Sequence, residues 1–250
     1  MKNNNIKITV SIASIPDREK GLKASIKSLI NQVDYINVYL NNYSYVPDFL
    51  KNSKINYFKS QNYRDLGDIG KFYFSDNING YHFTCDDDII YPSNYVEFMI
   101  SKLKLHGGFI SCHGAIFNFP FKSFYKSKTN FHFRKNNECD VCVNLVGTGV
   151  MAYDAREIKI PLKIFKHKNM ADIFIAIFAK KNNIKCTVVE HDEFFLKDFY
   201  IENLSKSFLI RLFQKIKNKL RLNNIYKKYK TNHEIQTELV NDNKPWDIID

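Results

Sequence analysis

The feature that most constrains the fold is a regular alternation of apolar runs in the amino-terminal part of the chain. Short β-type runs are predicted over residues 6–12, 35–40, 55–58 and 81–85. Helices are predicted over residues 20–32 and 95–105, and a glycine-punctuated turn leads into a third over residues 67–74. Strands joined by helices form parallel βαβ units, so this order predicts an α/β fold with a doubly wound sheet.

The second part of the chain has a more mixed pattern. Strands are predicted over residues 107–113, 141–153 and 185–190, with a helix over residues 169–181. The run over residues 141–153 contains Gly147-Thr148-Gly149. Glycines in a strand allow another group to approach the backbone closely. That group is either a bound ligand or the backbone of a β-bulge, and the sequence leaves both alternatives open.

Composition indicates a single globular domain. The chain has 250 residues, of which 44% are hydrophobic and 25% charged, so its core needs neither disulfides nor a structural metal. The five cysteines are an odd number, and the sequence shows no secretory leader and no apolar run of the ~18 residues that a membrane span needs. These features predict a cytoplasmic protein. Cys139 and Cys142 form a lone CxxC pair, which we interpret as two ordinary thiols rather than a zinc or redox site.

Positive charge is concentrated near the carboxyl terminus. The formal net charge is +11, and nine Lys or Arg between residues 204 and 230 are accompanied by no Asp or Glu. Apolar side chains recur there at three- and four-residue steps, which predicts a basic amphipathic helix over residues 204–232 and a tail over residues 233–250. Such a helix either lies on an anionic membrane surface or packs on the core with a solvated basic face. Subtracting the nine cations leaves the rest of the chain at +2, so we expect no nucleic-acid partner.

Three consecutive carboxylates, Asp86-Asp87-Asp88, follow the apolar run over residues 81–85. Adjacent carboxylates repel one another, and a cation relieves that repulsion. In open α/β sheets, ligands bind at the carboxyl ends of the strands. A divalent ion that prefers oxygen ligands, Mg²⁺ or Mn²⁺, suits this position, with phosphate oxygens completing its coordination. The alternative is an acidic turn exposed to solvent.

Two segments carry a resemblance to a known family. Residues 8–18 (ITVSIASIPDR), with the helix end over residues 28–32 (SLINQ), resemble the opening of family 2-like glycosyltransferases, and residues 85–92 (CDDDIIYP) resemble their DxD motif and the segment after it. The nearest likeness is to glycosyltransferases of bacterial capsule and surface-polysaccharide gene clusters, over residues 6–200. It implies a GT-A fold in one domain, residues 1–203, with a nucleotide-binding half (1–100) and an acceptor half (101–203).

The resemblance also implies roles for the residues at the strand ends. It places Asp86 near the ribose and the metal, Asp87 in the cofactor site, and Asp88 as the principal metal ligand. The metal would neutralise the departing diphosphate. Pro16 and Arg18 would lie beside the nucleotide, where the guanidinium fits a diphosphate oxygen. A turn arginine pointing into water is the alternative for Arg18.

Further residues are implied along the nucleotide. Asn41 and Asn42 stand where the family often has an acidic residue that contacts the base, and an amide can pair with uracil. Asp68 and Lys71 would flank the nucleotide, with helix capping as the alternative for Asp68. The segment is not a Walker motif, because position 65 is Asp and Phe72 replaces the Ser or Thr.

The catalytic base and a late metal ligand are the last implied roles. Family members carry an acidic base at the start of a helix; here Ala171 replaces the usual Glu, and Asp172 remains as the candidate. Its alternative is a first-turn Asp that the helix dipole favours. GT-A enzymes frequently take a third metal ligand from a late histidine, for which His191 and His233 are candidates. A surface histidine is the alternative for each.

Together these expectations describe one reaction. A hexose passes from a nucleotide-diphosphate sugar, UDP-linked, to a hydroxyl of a growing glycan or lipid-linked oligosaccharide, with inversion, at the cytoplasmic face of a bacterial-type membrane. The alternatives are a retaining transferase, a nucleotidyltransferase, and a non-catalytic module that binds nucleotide sugar or polysaccharide. The lack of a Gly-rich, Lys-containing signature near the amino terminus argues against the second. The intact acidic triplet beside a candidate base argues against the third.

Overall fold

The computed structural model of the protein describes residues 6–204 and 232–249. The basic helix predicted over residues 204–232 lies, apart from its two terminal residues, outside the described residues. None of the helices in the described part of the chain has the length and apolar character needed to cross a bilayer.

The first half of the chain contains five strands and two α-helices. The strands are β1 (Lys7–Ser14), β2 (Tyr35–Leu40), β3 (Ile55–Lys59), β4 (Gly80–Cys85) and β5 (Ile89–Ile90). The helices are α1 (Glu19–Leu29) and α2 (Tyr95–His106). The turn predicted to lead into a helix after residue 67 is a 3₁₀ helix over Gly67–Phe72.

The second half contains shorter strands and two more α-helices. The strands are β6 (Phe109–Ser111), β7 (Gly114–Phe117), β8 (Lys128–Phe131), β9 (Val141–Cys142), β10 (Leu145–Val146), β11 (Val150–Asp154), β12 (Cys186–Val188) and β13 (Lys197–Asp198). The helices are α3 (Ala171–Lys181) and α4 (Phe199–Leu204). Residues 232–242 are also helical.

One eight-stranded sheet runs through both halves, in the order β3-β2-β1-β4-β11-β6-β12-β9. The pairs β2–β3, β1–β2, β1–β4 and β6–β12 are parallel. Strand β11 lies between β4 and β6 and is antiparallel to both. The mixed α/β class with a largely parallel sheet is therefore confirmed, and residues 1–100 and 101–203 contribute strands to one continuous sheet.

The strand predicted over residues 141–153 is instead three short strands. Strand β9 pairs with β12, β10 pairs with β7 in a separate three-stranded sheet, and β11 pairs with β4 and β6. The Oδ1 atom of Asn144 accepts a hydrogen bond from the backbone of Phe117 at 2.9 Å, which ties the chain down between β9 and β10. The prediction of one strand was wrong because each short piece has a different partner, which apolar periodicity does not reveal.

Apolar side chains cover both faces of the large sheet. Along β11, Val150 and Ala152 join the core cluster that contains the apolar residues of α1 and α2. Met151 and Tyr153 join the cluster that contains the apolar face of α3. Successive side chains of a strand point to opposite faces, so the sheet is sandwiched between helices. The carboxyl ends of its parallel strands are left free at one edge.

Candidate functional site

A cleft of about 480 Å³ lies at the edge of the sheet where β1, β2, β4 and β6 end. Four residues that end or follow these strands line it: Ser14, Asn41, Asp86 and His113. Because β11 runs antiparallel, its amino-terminal end and the preceding turn, residues 147–149, reach the same edge. The start of α3 closes the cleft with Asp172. The topology thus brings segments that are distant in sequence to one place, as expected for a ligand site in an open α/β sheet.

The three carboxylates of the acidic triplet have different surroundings. Asp86 lines the cleft, keeps 40% of its side chain exposed, and forms an ion pair with the buried Lys71. Arg18 Nη1 lies 3.0 Å from Asp87 Oδ1 and 3.1 Å from Asp88 Oδ2. The Oδ2 atom of Asp87 is buried without a hydrogen-bond partner. Asp88 is not among the residues that line the cleft.

The charges within the triplet are unequally compensated. Burial opposes ionisation of Asp86, but the ammonium of Lys71 outweighs it and holds the pKa of Asp86 below its usual value. Burial, and then the charge of Asp86, raise the pKa of Asp88 to about 6 despite Arg18. Burial also raises the pKa of Asp87. One Lys and one Arg therefore leave net negative charge at this end of the cleft.

Two side chains of the triplet, Asp86 and Asp88, are the candidates for holding a divalent cation. Carboxylate oxygens are the donors that Mg²⁺ and Mn²⁺ prefer, and such an ion needs only one or two of them when a diphosphate supplies the rest. Asp86 offers exposed oxygens, and Asp88 lies close enough for the charge of Asp86 to raise its pKa. Within residues 6–204 and 232–249, no group of three or more His, Cys, Asp or Glu side chains is arranged to hold a metal.

Neither candidate histidine lines the cleft. His191 is buried, and its Nδ1 lies 2.7 Å from the carbonyl oxygen of Val189. His233 Nε2 lies 3.2 Å from Ser123 Oγ, and its ring packs on Tyr125. Because neither side chain borders the cleft and no described group of three metal-type ligands forms there, the structure does not bring a late histidine to Asp86 and Asp88 as the resemblance implied.

The two asparagines after β2 have structural surroundings. Asn41 lines the cleft, but its Oδ1 accepts hydrogen bonds from the backbone of Leu66 and Gly67, and its Nδ2 donates to the Gly67 carbonyl. Its amide holds the chain at residues 66–67 and leaves no free edge to pair with a base. Asn42 does not line the cleft; it adopts a left-handed backbone conformation with φ of 60° and donates its N–H to Ser60 Oγ.

Pro16 is exposed, begins a 3₁₀ turn, and does not line the cleft, whereas its neighbour Ile15 and the guanidinium of Arg18 do. The alternative for Arg18, a turn arginine pointing into water, is not what the structure shows, because its guanidinium forms ion pairs with Asp87 and Asp88.

Asp68 caps a helix, although not the one that follows it in sequence. Its carboxylate accepts hydrogen bonds from the backbone N–H groups of Asn169 at 2.6 Å and Ala171 at 2.9 Å. These groups lie at the amino terminus of α3, where N–H groups lack partners within the helix. Burial raises the pKa of Asp68 to about 6, while Lys71 and the two N–H donors lower it.

Asp172 lies in the first turn of α3 and lines the cleft. Its Oδ1 accepts two hydrogen bonds from Thr148, from the backbone N–H at 2.8 Å and from the hydroxyl at 2.7 Å. Seven of the sequence candidates therefore line one cleft: Arg18, Asn41, Asp68, Lys71, Asp86, Asp87 and Asp172.

Sequence reasoning missed the imidazole of His113, which lines the cleft directly after β6. Its Nδ1 is buried without a hydrogen-bond partner, and burial lowers its pKa against the opposing charges of Asp172 and Asp86. His113 falls at the end of the strand predicted over residues 107–113, at the edge where ligands bind, and that position could have identified it. His132 and Phe133 also line the cleft, and we find no signal in the sequence that marks them.

Comparisons with known proteins leave the family open. No protein-family model matches the chain, and no curated protein matches its sequence. Among solved structures, the chain is similar to 4-diphosphocytidyl-2C-methyl-D-erythritol synthase from Anaerococcus prevotii, with a TM-score of 0.40 and 10% identity over 70% of this chain and 83% of that chain. A likeness this low carries no argument about the chemistry of the cleft.

Proposed function

We propose that the chain is a metal-dependent glycosyltransferase of GT-A type, which transfers a hexose from a nucleotide-diphosphate sugar to a glycan hydroxyl with inversion. The observation that carries the proposal is that one cleft is lined by two carboxylates of the acidic triplet, Asp86 and Asp87, with their cations Lys71 and Arg18, and by a separate carboxylate, Asp172, on a different element. An inverting transfer needs both parts: charge compensation for the leaving diphosphate, and a base for the attacking hydroxyl.

The donor would occupy the end of the cleft formed by β1 and β4. Asp86 and Asp88 would hold a Mg²⁺ or Mn²⁺ ion, whose chemistry is to neutralise the leaving diphosphate. Lys71 is buried and forms an ion pair with Asp86, so its positive charge is already in place next to the proposed diphosphate position. Arg18 compensates Asp87 and Asp88 and borders the cleft, where its remaining donors suit phosphate oxygens.

The acceptor would occupy the end formed by the turn at residues 147–149 and the start of α3. Asp172 would accept the proton of the acceptor hydroxyl as it attacks the anomeric carbon from the face opposite the diphosphate. The rings of His113 and His132, whose centroids are 4.8 Å apart, border this end together with Phe133. Their apolar faces suit a sugar ring.

The test is a panel of UDP-, GDP-, CDP- and dTDP-sugars incubated with the protein, Mn²⁺ and simple glycan acceptors. We expect release of nucleoside diphosphate from one donor class, its loss in excess EDTA, and recovery with Mn²⁺ or Mg²⁺. A product of inverted anomeric configuration, determined by NMR, supports the inverting assignment, and a retained configuration contradicts it. Release of pyrophosphate from a nucleoside triphosphate and a sugar phosphate would instead identify a nucleotidyltransferase. Full activity in EDTA, or no turnover of any donor, would reject the proposal.

We further propose that the acceptor is a lipid-linked or surface glycan, met at an anionic membrane. The support is the charge of the segment between residues 204 and 230, which carries nine cations and no acid. Each basic residue near an anionic surface contributes about 1 kcal/mol. We expect the protein to sediment with anionic vesicles at low salt and not with neutral ones, and replacement of Lys215, Lys217, Lys219 and Arg221 by Gln to abolish the difference. Equal binding to both vesicle types contradicts this proposal alone.

A further inference from the structure

Each residue of the turn Gly147-Thr148-Gly149 abuts a different side chain of the cleft. An added Cβ at Gly147 would lie 2.6 Å from His113, and one at Gly149 would lie 2.0 Å from Asp86 Oδ2. Thr148, between them, donates two hydrogen bonds to Asp172. The turn precedes β11, whose pairing with β4 and β6 fixes its position. One tripeptide therefore contacts three side chains from separate elements: His113, Asp86 and Asp172.

The contact between Thr148 and Asp172 is asymmetric. Thr148 is 1% exposed, and both its N–H and its hydroxyl point at the same carboxylate oxygen, Oδ1. The side chain of Asp172 borders the cleft. Its other oxygen, Oδ2, accepts no hydrogen bond from any described residue. Two bonds to one oxygen restrict rotation about the side-chain torsions, because turning the carboxylate would break both.

Asp172 is not needed to cap the free N–H groups at the start of its own helix, which is what an acidic residue in the first turn often does. The N–H groups of Asn169 and Ala171 are already capped by Asp68. A first-turn Asp without such a substitute would tend to fold back onto the N–H groups of its own helix. In this chain the carboxylate of Asp172 reaches away from α3 to the turn before β11.

We propose that Thr148 is a positioning residue for Asp172: it binds Oδ1 so that Oδ2 is presented to the cleft as the basic oxygen. This inference rests on the proposed function in that it assigns Asp172 the role of base. If the hydroxyl of Thr148 served only to pack the turn, its removal would lower the stability of the protein. It would not lower kcat selectively while leaving the affinity for the donor unchanged.

The test compares three substitutions in the full chain. Thr148→Val removes the hydroxyl and keeps the shape and the backbone donor, whereas Thr148→Ser keeps the hydroxyl. Thr187→Val is the matched control, because Thr187 is equally buried at 1% exposure and its hydroxyl has no hydrogen-bond partner. We expect Thr148→Val to lower kcat about ten- to a hundredfold with the donor KM within about twofold of wild type. Thr148→Ser should recover most of the turnover, and Thr187→Val should not change it.

A second measurement does not depend on catalysis. Three-bond couplings between the backbone and the carboxyl carbon of Asp172 report its side-chain rotamer. We expect one rotamer in wild type and Thr148→Ser, and averaged couplings in Thr148→Val. Thr148→Ala takes the place of Thr148→Val should that variant not fold.

The outcomes separate the two proposals. Unchanged kcat in Thr148→Val, equal damage in Thr148→Ser, or couplings that are the same in all variants would each overturn the positioning role. Absence of sugar transfer in the wild type would refute the proposed function instead, and the couplings would then decide alone whether Thr148 orients Asp172.

Discussion

The carboxylate of Asp68 lies 2.9 Å from the backbone nitrogen of Ala171, from which it accepts a hydrogen bond across 103 positions of sequence. The same carboxylate binds the N–H of Asn169. A residue from the first hundred positions therefore binds the start of the helix that carries Asp172. We therefore expect a displacement of the 3₁₀ helix Gly67–Phe72 to move the start of α3 and with it the candidate base Asp172.

Replacing Asp68 by Ala should destabilise the protein and slow the reaction together. Loss of an N-cap costs about 1–2 kcal/mol of unfolding free energy, and the first turn of α3 would loosen around Asp172. Urea denaturation and initial rates on the same preparations measure the two effects. Asp192→Ala, at an exposed position, is the control that should show neither. Wild-type stability in Asp68→Ala would contradict the capping role.

The raised pKa of Asp88 gives a pH dependence with a defined sign. Because its folded pKa, about 6, lies above the usual value of 3.8, the folded state holds the proton more tightly than the unfolded state. The contribution of Asp88 to the unfolding free energy therefore falls as pH rises from about 4 to about 6. Asp88→Asn should be more stable than wild type at pH 7.5, by roughly 2 kcal/mol, and equal to it near pH 4. Denaturation curves at several pH values check this, and a constant difference across that range would contradict it.

The same substitution should remove a response to divalent ions. We expect Mn²⁺ with UDP to raise the thermal midpoint of wild type, because a ligand that binds only the folded state stabilises it. Asp88→Asn should show little shift and should lose over a hundredfold in turnover, as expected when a main electrostatic stabiliser is removed. Asp140→Asn is a control carboxylate whose partners are Lys102 and His106, and its Mn²⁺ shift should match wild type. Equal shifts in wild type and Asp88→Asn would place the ion elsewhere.

Asp172→Asn should separate binding from turnover. The amide keeps the shape of the side chain, and its oxygen can still accept both hydrogen bonds from Thr148. Its basicity is lost, so we expect kcat to fall about a hundredfold or more while donor affinity, measured by calorimetry, stays within about twofold. Transfer within roughly tenfold of wild type would show that Asp172 is structural.

Gly149→Ala tests whether the turn sets the position of Asp86. The new methyl group would overlap Asp86 Oδ2, and the carboxylate, which is 40% exposed at the cleft, can turn aside only by weakening its ion pair with the buried Lys71. We expect at least tenfold lower turnover and a moderate fall in thermal midpoint. In the companion variant Gly147→Ala, the methyl group would lie 3.0 Å from the Cβ of His113, which cannot move without its backbone. A larger loss of stability in Gly147→Ala than in Gly149→Ala is therefore expected, and the reverse order would contradict this account.

The parallel part of the fold was predictable because its central strands β1, β2 and β4 are buried on both faces. Strand β2 matches its predicted bounds, and β4 extends its prediction by one residue. The acidic triplet and Arg18 could be assigned to one site from the sequence because each follows a strand of this kind. An apolar run that is followed by charged residues indicates where a buried strand reaches the edge of the sheet, and ligands bind at that edge.

The remainder depended on partners that a local pattern does not contain. Asn41 was expected to contact a base, yet both ends of its amide are used by the backbone at residues 66–67. Asp68 caps α3, 103 positions away, rather than the turn beside it. His113 borders the same cleft as Asp86 although β11 separates their strands, β6 and β4, in the sheet. Long-range hydrogen bonds and an antiparallel insertion of this kind leave no periodic trace in the sequence.

The insertion of β11 has a consequence for truncated versions of the protein. All six residues of β4 are buried, and one long side of this strand is hydrogen-bonded only by β11, which the chain supplies some 65 residues later. A fragment ending after α2 would expose that side as an apolar edge open to pairing with another chain. We expect such a fragment to accumulate as insoluble aggregates. A soluble version would need residues 107–154 as well, so we do not expect the segment that ends after α2 to fold independently.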